Sequence, residues 1–188
     1  MQEDSWDTAK IICFFSRSAD GPPGKRSPEK WPQECAVPAE LTGDFRKKFS
    51  DMHVAPFRFR GDAFNSIEHV HHATKFIHEL DFYREFTIHG RYGADPYLAK
   101  KAGGKLGKVR GNSALNRPVG IIKDADWEKK KDAYLEEAQL AKYMAHPDLK
   151  KLLLSTGDAL LLHHVTRKKG KVICRPLMRV RALLAKGK

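Results

Sequence analysis

The stretch "NSIEHVHHATKF", Asn65 to Phe76, holds one glutamate, three histidines and one lysine. On a helix, at about 100° per residue, Glu68, His71, His72 and Lys75 share one polar sector, opposite Val70, Ala73, Phe76, Ile77 and Leu80. Three kinds of chemistry suit such a sector. Glu68 and His72, four residues apart, can share a metal ion, although the His-Glu-x-x-His order of zinc proteases is absent and no third ligand is marked. A carboxylate beside basic groups can stabilise a developing positive charge or take a proton. The same residues also suit a solvated helix face, where each Glu–His pair adds roughly 0.2–0.5 kcal/mol. The residues by themselves leave all three open.

The elements around this sector follow from patterning. Asn65 or Ser66 can cap the amphipathic helix by accepting from a free N–H, which places Glu68 near the positive end of the dipole. Before it, "IICFFS" (11–16) reads as a buried strand, and "APFRFRGDAF" (55–64) as a strand followed by a tight turn at Gly61-Asp62. Residues 17–44, rich in Pro, Gly, Ser and charge, predict a long, partly mobile loop or insertion. After it, "ELDFYREFTIHG" (79–90) suggests a second short helix, and Asp95-Pro96 the capped start of another.

Residues 102–120 form a glycine-rich basic stretch that fails the phosphate-loop pattern. Val109 follows Gly107-Lys108, and the required upstream glycine is Ala102. A flexible loop carrying Lys105, Lys108 and Arg110 fits better, with backbone N–H groups and lysines still suited to phosphates. The longest helix runs from Asp126 to about Met144, with Ala133, Leu140, Ala141 and Met144 carrying part of its apolar face, and is ended by His146-Pro147. "DLKKLLLST" is a short helix stopped at Gly157. "ALLLHHV" and "KVICR" read as two strands, or a strand and a loop, before a closing helix from Pro176.

The 188 residues suffice for one domain with its own core, and 41% hydrophobic content fits a globular chain. The expected organisation is a polar tail over 1–10 and a single domain over 11–188, interrupted by the 17–44 insertion. A net charge of +12 points to an anionic partner, and from Arg167 onward nine Lys or Arg occur without an acid. Cys13, Cys35 and Cys174 are odd in number and widely spaced, as expected of reduced thiols rather than a disulfide framework. The start "MQEDSWDTAK" lacks the pattern of a signal peptide, and no apolar run approaches the roughly 20 residues of a membrane span. The expected place is the cytoplasm or nucleus, and the expected state a monomer.

Several separated motifs, in order, resemble the NADAR family of YbiA-type proteins. "FFS" (Phe14, Phe15, Ser16) is similar to the aromatic pair and serine ending its first strand. "FSDM" (Phe49–Met52) is similar to Phe-Ser-Asn-Phe, with Asp51 at the asparagine. The central mark, Ser-x-Glu-His-Tyr-x-Gln-Ala-x-Lys-Phe, is matched at Ser66, Glu68, His69, Ala73, Lys75 and Phe76, while Val70 and His72 depart from it. Trp127, Leu135, Ala138, Ala141, Lys142 and Tyr143 fall at the spacing of a further mark. "HPDLKKLLLSTG" and "LMRVR" are similar to its last two. The resemblance spans roughly residues 12–184, apart from the insertion. Where YbiA-type members carry an Asp and a Trp-Gly before the last helix, this chain has "VTRKKGKVICRP", onto which no residue is carried over.

The resemblance implies an α+β, mainly α-helical fold, a single NADAR/YbiA-like domain with a few short strands. It implies an N-glycosidase, a hydrolase of base–ribose bonds that needs no metal or other cofactor. Glu68 is the implied catalytic carboxylate, turning the helix reading from solvated face to catalytic helix with an incidental histidine cluster. Candidate substrate-binding residues are Phe15, Ser16, Ser50, Asp51, Ser66, His69, Lys75, Lys101 and Trp127, the last with a core role as its more natural one. Lys105, Lys108, Arg110, Lys168, Lys169 and Lys171 are candidate nucleic-acid contacts. The implied substrate is ADP-ribose on guanine in nucleic acid, or another ADP-ribose-like nucleotide. The alternatives are hydrolysis of phosphorylated riboflavin-biosynthesis intermediates and a non-catalytic module that binds ADP-ribose or nucleic acid.

Overall fold

A computed structural model describes residues 6–14, 27–166 and 170–187, so Phe15, Ser16, Lys168 and Lys169 lie outside the described residues. In chain order the elements are β1 (Asp7–Phe14), α1 (Phe45–Lys48), β2 (Phe57–Phe59), β3 (Asp62–Phe64), α2 (Ile67–Ala73), α3 (Leu80–Arg84), α4 (Pro96–Ala102), α5 (Trp127–Ala145), α6 (Pro147–Ser155), β4 (Ala159–Thr166), β5 (Gly170–Ile173) and α7 (Arg175–Ala185). The chain is α+β and mainly helical, as the motifs implied. It forms two compact units, one from residues up to 53 together with those from 146 onward, the other from 54–145.

In the first unit the sheet order is β1-β4-β5, with β1 and β4 parallel and β4 and β5 antiparallel. The two C-terminal apolar stretches are therefore two strands. β1 begins at Asp7, inside the expected tail, because the Asp7 N–H donates to the Asp158 carbonyl at 3.1 Å and so joins the ladder. The described part of the expected insertion, 27–44, is tied down rather than loose. Lys30 pairs with Ile11, and Glu29 accepts the Cys13 N–H at 2.9 Å and pairs with Arg46. α6 ends where Gly157 takes φ +57, a left-handed conformation that glycine adopts without steric cost. On α7, buried Arg181 donates to Thr156 Oγ1 at 2.7 Å and the Ala159 carbonyl at 2.9 Å, fastening that turn. Cys13, Cys35 and Cys174 are free thiols.

In the second unit, β2 and β3 form an antiparallel hairpin whose turn falls one residue before the expected Gly61-Asp62, because Asp62 already pairs with Phe59. Arg60 (φ 50) and Gly61 (φ 93) supply the two positive φ angles of a tight two-residue turn. Alternation buries Phe57 and Phe59 and exposes Arg58. Phe76, Phe82, Phe86 and Tyr92 pack with ring centroids 4.9–6.3 Å apart, Phe82 edge to face with each of the other three and Phe76 stacked on Phe86, while Phe64 meets Phe59 and Tyr83 edge to face. Asp95 caps α4 as expected, accepting the Tyr97 N–H at 2.8 Å.

Three local expectations need correction. Neither Asn65 nor Ser66 caps α2: Asn65 Nδ2 donates to the Gly93 carbonyl at 2.9 Å, and the Ser66 hydroxyl is bonded to His69. The 102–120 loop is pinned, because Arg117 donates to the carbonyls of Gly104, Lys105 and Gly107. On α5 the buried face runs through Trp127, Tyr134, Ala138, Gln139, Lys142 and Tyr143, leaving Ala133 and Met144 exposed. That face carries aromatic and long polar side chains, which the simple apolar count overlooked.

Candidate active site

α2 packs against both α4 and α5, so two helices cover it where a surface helix has one. This buries the polar sector along with the apolar one: Glu68 is 9% exposed, His72 4% and His69 0%. The solvated-face reading of this sector is overturned. A buried polar group must find partners or lose about 1–3 kcal/mol, and here each one does.

After Ala73 the helix tightens into a 3-10 turn over Thr74–Phe76, which carries Lys75 back over the α2 face. Lys75 Nζ lies 3.1 Å from His72 Nδ1, and His72 Nε2 lies 3.1 Å from Glu68 Oε1. An ammonium can only donate and a carboxylate can only accept. The imidazole is therefore the neutral Nε2–H form, accepting from Lys75 and donating to Glu68. Lys100 of α4 approaches the same Oε1 at 3.6 Å. Gly103, just past the end of α4, makes room for the imidazole, because a Cβ there would lie 2.4 Å from His72 Nδ1.

Burial by itself would raise the Glu68 carboxyl, but the His72 hydrogen bond and the nearby positive charges, Lys100 among them, outweigh it and hold the group at about 2. Glu68 is thus ionised at neutral pH. Burial lowers the Lys75 ammonium to about 8, His71 to about 3, and His72 and His69 below the ordinary histidine value.

Trp127, at the start of α5, is buried and fixed by its Nε1–H, which donates to Thr74 Oγ1 at 3.3 Å. Thr74 in turn donates to the Val70 carbonyl at 2.9 Å. Lys75 and Lys123 lie 4.9 and 4.5 Å from the indole centroid, and the His71 ring stands edge-on at 5.0 Å.

The structure therefore brings Glu68, Lys75 and Trp127 together. Ser66 and His69 are instead engaged with each other. His69 Nε2–H donates to the Tyr92 carbonyl at 3.0 Å, so its Nδ1 accepts the Ser66 hydroxyl at 2.7 Å. Both are fully buried supports of α2. Lys101 is exposed, and the lysine of α4 that reaches Glu68 is its neighbour Lys100. Lys105, Lys108 and Arg110 are exposed on the pinned loop. In the first unit, Ser50 is buried with its Oγ accepting the Met52 N–H at 3.2 Å, Asp51 is half-buried and Lys171 exposed. Among the described residues no three His, Cys, Asp or Glu side chains are grouped to hold a metal ion.

Sequence reading treated His72 as part of an incidental histidine cluster and missed Lys100 and Gly103. The signal for His72 was present: it stands four residues after Glu68 and three before Lys75, the two spacings at which helical side chains meet.

The chain belongs to the NADAR family, whose domain model matches residues 40–169. Its relatives include the proteins named N-glycosidase YbiA of Shigella flexneri serotype 5b (strain 8401), Shigella boydii serotype 4 (strain Sb227) and Shigella sonnei (strain Ss046). Each is 30% identical over 132 residues, covering 70% of this chain and 71% of the relative. The fold is similar to the NMR structure of the E. coli protein YbiA, with a TM-score of 0.61 at 20% identity, over 99% of this chain and 91% of that one. Among the described residues no helix is long and apolar enough to cross a membrane.

Proposed function

We propose that this protein is an N-glycosidase that removes ADP-ribose from guanine in nucleic acid. The enzyme class, a hydrolase of N-glycosyl bonds, follows from family membership and from relatives that bear that name. The observation that carries the site assignment is Glu68, a carboxylate kept ionised in a mostly buried setting.

As a base leaves ribose, positive charge builds on the anomeric carbon. A fixed negative charge beside it lowers that barrier without reorganising at the moment of reaction. Because Glu68 is held well below the ordinary carboxylate range, it is a weak proton acceptor, and charge stabilisation is its main role. Lys75 is committed to His72 and orients the group, whereas Lys100, paired with Glu68 at 3.6 Å, is half exposed and so placed to meet a substrate phosphate as well. The net charge of +12 and the acid-free C-terminal segment favour a polyanionic substrate over a small one.

The test is to incubate the protein with DNA carrying ADP-ribosylated guanine and, separately, with a phosphorylated riboflavin-pathway intermediate. Release of ADP-ribose from DNA supports the reading. Cleavage of the intermediate alone replaces it with the small-substrate enzyme. Tight binding of both with no cleavage leaves a binding module.

A further inference from the structure

We propose that His72 is a positioning residue: as a neutral imidazole it ties Glu68 and Lys75 into one unit, and its protonation breaks that unit and sets the acidic limit of activity. This rests on the reading of Glu68 as the reacting carboxylate.

The hydrogen-bond arithmetic requires it. With Lys75 Nζ at 3.1 Å from Nδ1 and Glu68 Oε1 at 3.1 Å from Nε2, both ring nitrogens are committed, one as acceptor and one as donor. A proton added at Nδ1 meets the Lys75 ammonium head-on. The Nδ1–H then has the Gly103 carbonyl as its nearby acceptor, the group to which Lys75 now donates at 3.5 Å. Lys75 loses its partner and gains a cationic neighbour.

The surrounding charges are accounted for. On α2 these are Glu68, His69 and His71, and on α4 Lys100. Beyond Lys75 stand Lys123, in the loop before α5, and Glu128, in its first turn, which pair at 2.7 Å. On α3, Asp81 and Arg84 pair with each other at 3.9 Å at the surface, and Asp62 of β3 acts on Tyr83. Phe86 stacks on the imidazole and carries no charge. Nothing in this set but Lys75 loses a hydrogen bond when His72 is protonated. In the family's central motif, glutamine stands at this place. Its amide offers one donor and one acceptor, as the neutral imidazole does, but does not titrate.

The experiment compares the wild type, His72→Gln and His72→Phe on a DNA oligonucleotide carrying ADP-ribosylated guanine, with folding of each checked by circular dichroism. The glutamine variant is expected to keep kcat within about threefold near neutral pH and to lose the acidic limb of the profile. The phenylalanine variant is expected to lose at least about tenfold in kcat at every pH, with KM changed by less than about threefold. A glutamine variant that keeps the wild-type acidic limb, or a phenylalanine variant with full kcat, overturns the proposal. In parallel, nitrogen-15 NMR of the imidazoles, assigned by the signal that disappears in His72→Gln, is expected to show His72 as neutral Nε2–H at neutral pH. A charged or Nδ1–H His72 there overturns the proposal whatever the kinetics. If the wild type releases nothing from the oligonucleotide, the substrate reading falls. The NMR titration then decides the His72 pairing by itself, through a Lys75 signal that shifts with His72 protonation or one that does not.

Discussion

Glu68 and Lys100 come from different helices of one unit, and their charged atoms lie 3.6 Å apart. Lys100 follows Ala99, which is fully buried, so the helix backbone holds it in place, while its side chain is half exposed. Neighbouring Lys101 is exposed. Lys100→Met is expected to lower kcat/KM at least about fivefold on a phosphate-bearing substrate, with Lys101→Met within about twofold of wild type. Equal losses in the two variants, measured by steady-state kinetics, would assign the effect to general surface charge.

Glu68→Gln keeps the size of the side chain and an oxygen that can accept from His72, so the fold should persist. Removing the negative charge is expected to slow cleavage by at least about 10²-fold. Turnover near the wild-type level in a folded variant would remove Glu68 from the mechanism.

Gly103 has φ −81, which alanine tolerates, so a substitution there acts by volume alone. The new Cβ would lie 2.4 Å from His72 Nδ1 and 2.6 Å from His72 Cβ. Gly103→Ala should therefore displace the imidazole, at a cost of about 1–3 kcal/mol of stability. Its kcat should fall toward that of His72→Phe. Unchanged melting temperature and unchanged kcat would show that the imidazole has room to move.

Acid should weaken the fold in a defined order. His69, His71 and His72 are held neutral by burial, so as pH falls below about 6.5 the unfolded chain binds protons that the folded one does not. Stability is therefore full above that value and falls as pH drops, by about 1.4 kcal/mol per pH unit for each histidine still neutral. His71 stays neutral down to about 3, so His71→Phe should flatten the slope of urea-unfolding stability against pH. Glu68, depressed to about 2, adds a later loss as pH falls from the ordinary carboxylate range toward that value. Stability that rises on acidification from neutral pH would contradict these assignments.

Salt dependence should report which basic residues meet the nucleic-acid backbone. Neutralising Lys105, Lys108 and Arg110 together, or Lys168, Lys169 and Lys171 together, should reduce the slope of log K against log salt by about 0.9 for each phosphate that no longer meets a cation. Hydrolysis of a small modified nucleotide should barely change, because α2 is untouched. A triple variant with wild-type affinity and slope marks its segment as a solvated face.

Much of this protein was written in its linear order. Periodicity and turn residues placed a strand and tight turn within one residue of the observed hairpin turn, the capped start at Asp95-Pro96, the long helix within one residue of its start at Trp127, and the closing helix, because these signals act within a few residues of themselves. Spacing likewise put Glu68, His72 and Lys75 on one face. Whether that face met water or protein was not legible, since a helix's own pattern does not say how many neighbours cover it. Packing by both α4 and α5 turned a polar stripe into a buried chain of hydrogen bonds. The same packing decided between Lys100 and Lys101, adjacent residues that a sequence cannot rank. It also drew the Ser66 hydroxyl away from capping and onto His69, because a fully buried imidazole needs a partner at each nitrogen more than an N-terminal turn needs one more acceptor.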